Sequence, residues 1–215
     1  MADQLIEVPQ GTITTPRGFA AAAVAASIRD DTGPGHLDLA LLSSERRCAA
    51  AAVYTANRLQ APPLRITRRH LADGHAQAVI VNTGIANSLT GAQGERDAQE
   101  MAELAAAKLG VPVEDVVVAS TGVTGWMLPM DRVRSAVPGI AVSGDGGDTF
   151  AHAIMTTDTV AKQTAVQFDW DGVRYTVAGA AKGSGMVDVK LATMLAFFTT
   201  DAAVAPAALQ TLLAD

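Results

Sequence analysis

The stretch from Gly91 to Leu109 restricts the fold more than any other part of the chain. Ala98, Met101, Ala102, Ala105 and Leu109 recur there on one face at helical period. Thr90 and Gln93 stand at capping-box spacing in front of it, and Gly110 with Pro112 stops it. A long helix with one apolar face has to lay that face on another layer. The segments on either side supply one. Ala78 to Val81 and Val116 to Ala119 are short apolar runs of strand length. They run into the turn formers Asn82-Thr83-Gly84 and Ser120-Thr121-Gly122.

The rest of the chain mixes the same two kinds of element. Leu37 to Leu42 and Ala49 to Tyr54 read as buried strands around the polar stretch Ser43-Ser44-Glu45-Arg46-Arg47, a hairpin pattern. Thr164 to Phe168 and Val173 to Ala178 flank Asp169-Trp170-Asp171-Gly172, where Asp-Gly signals a second hairpin. Met130 to Val137 reads as a short helix. Gly144-Asp145-Gly146-Gly147-Asp148 reads as a solvated turn, because its acids lack calcium-loop spacing. The opening up to Arg17 is extended and turn-rich. No repeat and no long linker divide the chain. The expected class is therefore a layered α+β sandwich with antiparallel pairing. Hydrophobic residues make up 49% of the chain and aromatic ones only 4%, so Ala, Val, Leu and Ile must build the core.

Several functions are disfavoured at once. The formal net charge is −6, the wrong sign for a nucleic-acid binder. The local cluster Arg65, Arg68, Arg69 and His70 reads as the solvated face of a short helix. Cys48 is the single cysteine, which rules out an intrachain disulfide and fits a reducing compartment. The N-terminus lacks a basic region followed by an apolar stretch. The apolar runs near Ala20 to Ala26 and Ala49 to Val53 are too short to span a bilayer. A cytoplasmic protein without nucleic-acid or membrane partners is expected.

Conventional catalytic patterns are missing. His36, His70, His75 and His152 show no metal-ligand spacing, and there is no GxSxG elbow, P-loop or CxxC. Two segments remain. Ser120-Thr121-Gly122-Val123-Thr124-Gly125 follows a strand directly, so its N–H groups and a hydroxyl can face a cavity as an oxyanion hole does, or it is an ordinary glycine turn. Lys182-Gly183-Ser184-Gly185-Met186 precedes Leu191-Ala192-Thr193-Met194-Leu195-Ala196-Phe197. Read from the residues alone, the glycine-rich piece is a turn or a phosphate loop, Lys182 a surface lysine, and Thr193 a helix cap or a nucleophile.

Those two segments resemble the cleavage-site region of the ornithine acetyltransferase family, in which KGSGM precedes ATMLAF and a threonine-aspartate pair follows, here Thr200-Asp201. Gly18-Phe19 with the alanine run after it, Tyr54-Thr55-Ala56-Asn57-Arg58 with Ala61-Pro62-Pro63, Val81-Asn82-Thr83-Gly84-Ile85-Ala86-Asn87, Ser120-Thr121-Gly122-Val123 and Met155-Thr156-Thr157-Asp158-Thr159 also resemble family segments, in family order. The resemblance covers nearly the whole chain.

The resemblance implies a layered fold of the N-terminal-nucleophile type and a glutamate N-acetyltransferase of arginine biosynthesis. Thr193 would cut the bond after Ala192 and then carry the acetyl group from N-acetylornithine to glutamate. Thr121 and Gly122 would hold the oxyanion, and Lys182 and a threonine of the Thr156-Thr157-Asp158-Thr159 run, with Thr159 the first choice, would contact the amino-acid substrate. No cofactor and no metal are implied. Residues 1–192 would correspond to the family's α chain and 193–215 to the start of its β chain, incomplete here, in a heterotetramer of two α and two β chains. Acetyl-coenzyme A is a further potential donor. Ile85 departs from a usual Asn, and Asp188-Val189-Lys190-Leu191 from a usual His-Pro-Asn-Met. Competing readings are an inactive remnant and a related self-cleaving amidase or aminopeptidase.

Overall fold

The computed structural model describes residues 5–31, 33, 35–185 and 194–214. In chain order their strands and α-helices are β1 (Ile6–Glu7), β2 (Phe19–Val24), β3 (Leu39–Ala49), α1 (Pro62–His70), β4 (His75–Asn82), α2 (Gly91–Leu109), β5 (Val116–Ser120), α3 (Met130–Ala136), α4 (Gly147–Ala153), β6 (Lys162–Trp170), β7 (Val173–Lys182), β8 (Leu195–Thr200) and α5 (Pro206–Ala214). The strands form two four-stranded sheets, ordered β2-β3-β4-β5 and β1-β6-β7-β8. All neighbours are antiparallel except β4 and β5, which run parallel because α2 carries the chain back between them.

The layers follow from which side chains each strand turns to each face. Leu39, Leu41, Ile80, Val116 and Val118 face one way and pack against Ile66 of α1, Met101 and Ala105 of α2 and Val133 of α3. Ala21, Ala40, Leu42 and Val81 face the other way and meet Phe150 and Ala151 of α4 and Ala180 of the second sheet. Phe150 and Phe197 of β8 meet edge to face at 5.5 Å across this inner layer. The fold is thus a helical layer, a sheet, an apolar seam wedged by α4, and a second sheet.

Small residues make the seam. The alanine run forms β2, although alanine has little intrinsic strand preference. Ser143 exchanges two backbone hydrogen bonds with Ala21, at 2.9 and 3.0 Å, and a side chain at Gly146 would strike the Ala21 carbonyl. Close approach of backbones here substitutes for bulky side chains.

Several local expectations change. Ser43 to Arg47 do not turn: β3 continues through them to Ala49, absorbing the polar stretch with a register shift between Ser43 and Cys48. No strand forms from 50 to 59. The Gly144–Asp148 stretch leads directly into α4. Thr90 precedes α2 as expected, but its hydroxyl donates to Asn87 Oδ1 at 2.7 Å instead of capping the helix. Of the basic cluster, Arg65 and Arg69 are exposed, while His70 is buried with Nδ1 2.8 Å from the Val116 carbonyl oxygen. Beside it, the Thr67 hydroxyl donates to Val118 O and accepts from Val118 N–H, so α1 seals the free edge of β5. The second hairpin forms as read, with Asp171 and Gly172 both at positive φ. Residues 195–200 form a strand, not a helix.

Candidate functional site

Two strand ends make the site, one on each sheet. On β4, Val79 and Val81 face the seam and Ala78 and Ile80 face the helices. On β5, Ala119 faces the seam and Val116 and Val118 the helices. Both ladders run one residue past the strands: Thr83 N–H donates to Asp38 O at 2.9 Å and Thr121 N–H to Asn82 O at 3.0 Å. Alternation therefore turns Thr83 and Thr121 to the seam side. Gly122 follows at φ +132°, and a Cβ there would fall on the Gly84 backbone carbonyl. Only glycine fits. Val123 N–H to Gly84 O at 3.0 Å and Ala86 N–H to Val123 O at 2.9 Å stitch the turn to the neighbouring loop. The Thr121 hydroxyl and the Gly122 N–H take no partner among the described residues. A rigid turn with two uncommitted donors suits a developing oxyanion.

On the second sheet, Thr176, Ala178 and Ala180 form the inward row of β7 and Lys182 ends it, only 2% exposed. Burial pushes the lysine pKa down, and Asp158 partly restores it. Its Nζ donates to Thr156 Oγ1 at 3.3 Å. The Asp158 carboxylate accepts from Gly183 N–H at 2.8 Å and Thr156 N–H at 3.2 Å and pairs with Lys162. Burial alone would raise the Asp158 pKa, but these partners outweigh it and hold it at about 2. Thr157 Oγ1 and Ser184 Oγ are 3.1 Å apart. The 156–158 loop and the 182–184 turn are thus one unit, centred on Asp158. Thr159 is exposed beside it.

Lys182 and Leu195 are register partners. Both ends of the connection carrying Ala192 and Thr193 are therefore anchored at this strand end. Ala192 and Thr193 themselves lie outside the described residues. Ala119 of the first sheet and Ala180 and Leu195 of the second contribute to the same apolar seam, so the two strand ends open on one layer.

A first prediction arises from Asp158. Its pKa is lowered from 3.8 to about 2 in the fold, so the charge stabilises above the unfolded value and that contribution is lost as pH falls toward the folded one. Asp158→Asn is expected to melt a few degrees below the wild type at neutral pH. The gap should close as pH drops from about 4 toward about 2, followed by thermal melts across that range. A gap independent of pH would assign the effect to shape, not charge.

Asp158 and Thr156 carry more of this geometry than the sequence suggested, and Thr83 was not singled out at all. Counting alternation from Val79 would have put Thr83 beside Thr121. Among the described residues no group of His, Cys, Asp and Glu could hold a metal ion, and no helix is long and apolar enough to cross a membrane. A charged cleft between the exit of β2 and α3, lined by Arg29, Asp30, Asp131 and Arg132, shares no residue with either strand end.

A helical layer packed on two four-stranded sheets, with an apolar seam between the sheets, is a layered α+β fold of the N-terminal-nucleophile-like type. Solved structures with this architecture match the chain. An "Arginine biosynthesis bifunctional protein argJ" from Bacillus halodurans superposes with a TM-score of 0.82 at 37% identity, covering 89% of this chain and 98% of that one. An ornithine acetyltransferase from Mycobacterium tuberculosis, complexed with ornithine, gives 0.79 at 40% identity, covering 88% of this chain and 100% of that one. The family model described as "ArgJ family" matches residues 20–215, and the chain belongs to that family. The curated "Arginine biosynthesis bifunctional protein ArgJ" of Symbiobacterium thermophilum is 50% identical over 202 residues, covering 93% of this chain and 50% of the relative. The chain spans about half the length of the curated relatives it matches.

Proposed function

We propose that this chain carries the nucleophile-bearing part of a glutamate N-acetyltransferase that takes its acetyl group from N-acetylornithine. The observation that carries the reading is the Thr121-Gly122 turn with two uncommitted donors, in a chain 40% identical to an ornithine acetyltransferase crystallised with ornithine. Thr193 Oγ attacks the Ala192 carbonyl carbon, and the peptide C–N bond breaks to leave an ester and a free Thr193 amine. Water then hydrolyses the ester, leaving Ala192 with a carboxylate. The freed amine takes the proton of its own hydroxyl. That hydroxyl attacks the acetyl group of N-acetylornithine, and ornithine departs with the proton. The glutamate amine attacks the acetyl-threonine, giving N-acetylglutamate and restoring the hydroxyl. At each tetrahedral stage Thr121 O–H and Gly122 N–H hold the anionic oxygen. Lys182 meets a substrate carboxylate, with Thr159 as a further substrate contact. No step requires a cofactor.

In this reading residues 1–192 and 193–215 belong to different chains after the cut, and a second-half polypeptide completes a heterotetramer of two α and two β chains in the cytoplasm. Support for the cut comes from lengths. Curated relatives are about twice as long as the span they share with this chain, yet two solved family chains are matched over 98% and 100% of their lengths. Acetyl-coenzyme A is proposed as an additional donor, in line with the word "bifunctional" in the relatives' names.

The test uses the completed protein, this chain continued by the second half that full-length relatives carry. With N-acetylornithine alone, ornithine is expected to be released while the chain beginning at Thr193 gains one acetyl group by intact mass. Added glutamate should discharge it as N-acetylglutamate. Release of free acetate without acetylation of glutamate would instead favour a self-cleaving amidase.

A further inference from the structure

Thr83 is 1% exposed, and its buried hydroxyl has no hydrogen-bond partner among the described residues. A buried hydroxyl left unpaired is costly and calls for an explanation. Asn82 Oδ1, Ser120 Oγ and Gln163 Oε1 are also unpaired; strand alternation turns the first two to the helical side, and Gln163 lies on β6 of the second sheet, with its Nε2 donating to Asp148. Of the three on the first sheet, Thr83 alone faces the seam. Its neighbour on one side is Asp38, whose carboxylate is engaged by the N–H groups of Ala26 and Ile28 at 2.6 Å each and does not take the Thr83 hydroxyl. Its neighbour on the other side is Thr121, because the parallel register ends at Asn82 and Ser120 and both ladders continue one residue further.

We infer that Thr83 is a third hydrogen-bond donor to the oxygen held by Thr121 and Gly122. The spacing permits it. Adjacent strands lie about 4.8 Å apart, and two O–H···O bonds of about 2.7 Å each can bridge up to about 5.4 Å. One oxygen lying between the two threonines can therefore accept from both hydroxyls. The reacting carbonyl oxygen would give the unpaired Thr83 hydroxyl the acceptor that no group among the described residues supplies. This inference rests on the oxyanion reading of Thr121 and Gly122 and extends it by one residue.

The test is Thr83→Val in the completed protein, read by acetyl-transfer kcat and by thermal melting. Removing a donor to the oxyanion should lower kcat at least about tenfold. Removing an unpaired buried hydroxyl should leave Tm unchanged or raise it, by up to about 2–4 °C. Thr83→Ser, which keeps the hydroxyl, should retain most of the activity. A hydroxyl serving only the fold gives the opposite pattern, so a lowered Tm or failure of Thr83→Val to fold overturns the inference. An unchanged kcat also overturns it. Thr121→Ala separates this inference from its parent. If Thr121→Ala slows transfer and Thr83→Val does not, only the role of Thr83 is lost. If neither slows it, the oxyanion reading falls with it.

Discussion

Thr193→Ala in the completed protein is expected to give one uncut chain and no measurable acetyl transfer. Both steps of the proposed chemistry use the same oxygen. Without it nothing attacks the Ala192 carbonyl, so no chain beginning at residue 193 is made. Without the cut there is no free amine to act as base, so a second nucleophile placed nearby would still lack its proton acceptor. Thr193→Ser keeps a hydroxyl and should cut slowly. Intact mass reports the cut and N-acetylglutamate formation reports transfer. Full transferase activity in the alanine variant would remove Thr193 from the mechanism and most of the functional reading with it.

Thr121→Ala should lower kcat by about 10²-fold, the usual scale for losing one oxyanion donor, or about 2.7 kcal/mol of transition-state stabilisation. The loss should fall on kcat more than on KM, because the donor matters most once the carbonyl oxygen carries charge. The fold should tolerate the change. The Thr121 N–H to Asn82 O bond is made by backbone, and the side chain makes no hydrogen bond among the described residues. Melting temperature is thus the control, and Thr121→Ser should keep much of the rate. An unchanged kcat with a normal melt would exclude Thr121 from catalysis.

Legibility in the sequence followed the source of each element's stability. Helix α2 spans the residues its periodicity marked, because its apolar face and Gly110 are local signals. The Asp171-Gly172 hairpin was equally plain, since both residues sit where positive φ is needed. Strand β2 was not recognised as a strand, because alanines carry no strand signal and the run becomes one only between β3 and Ser143. The polar stretch inside β3 looked like a turn because its partners lie far along the chain: Arg47 Nε donates to both Asp115 carboxylate oxygens, at 2.8 and 2.9 Å. At the site, the Thr121-Gly122 turn was suggested by its place after an apolar strand. The clamp formed by Asp158 was not, because it joins a loop and a turn about 25 residues apart. Lys182 read as a surface residue on spacing alone, whereas the inward row of β7 buries it.

The register of β7 and β8 also decides what a break between them can do. Their connection runs from Lys182 to Leu195, and each of those residues begins a six-rung ladder that continues to Val177 and Thr200. Beyond the rungs, the Thr199 hydroxyl donates to Ile13 O at 2.6 Å, and Asp201 accepts the Thr176 N–H at 2.8 Å and pairs with Arg17. Severing a bond between Gly185 and Met194 therefore removes a covalent link from a seam that remains laced on either side. Strand β8 stays paired after such a cut, since its departure would require breaking all six rungs to β7. Scission there would turn an amide into an amine and an acid while the two strands that flank it stay assembled.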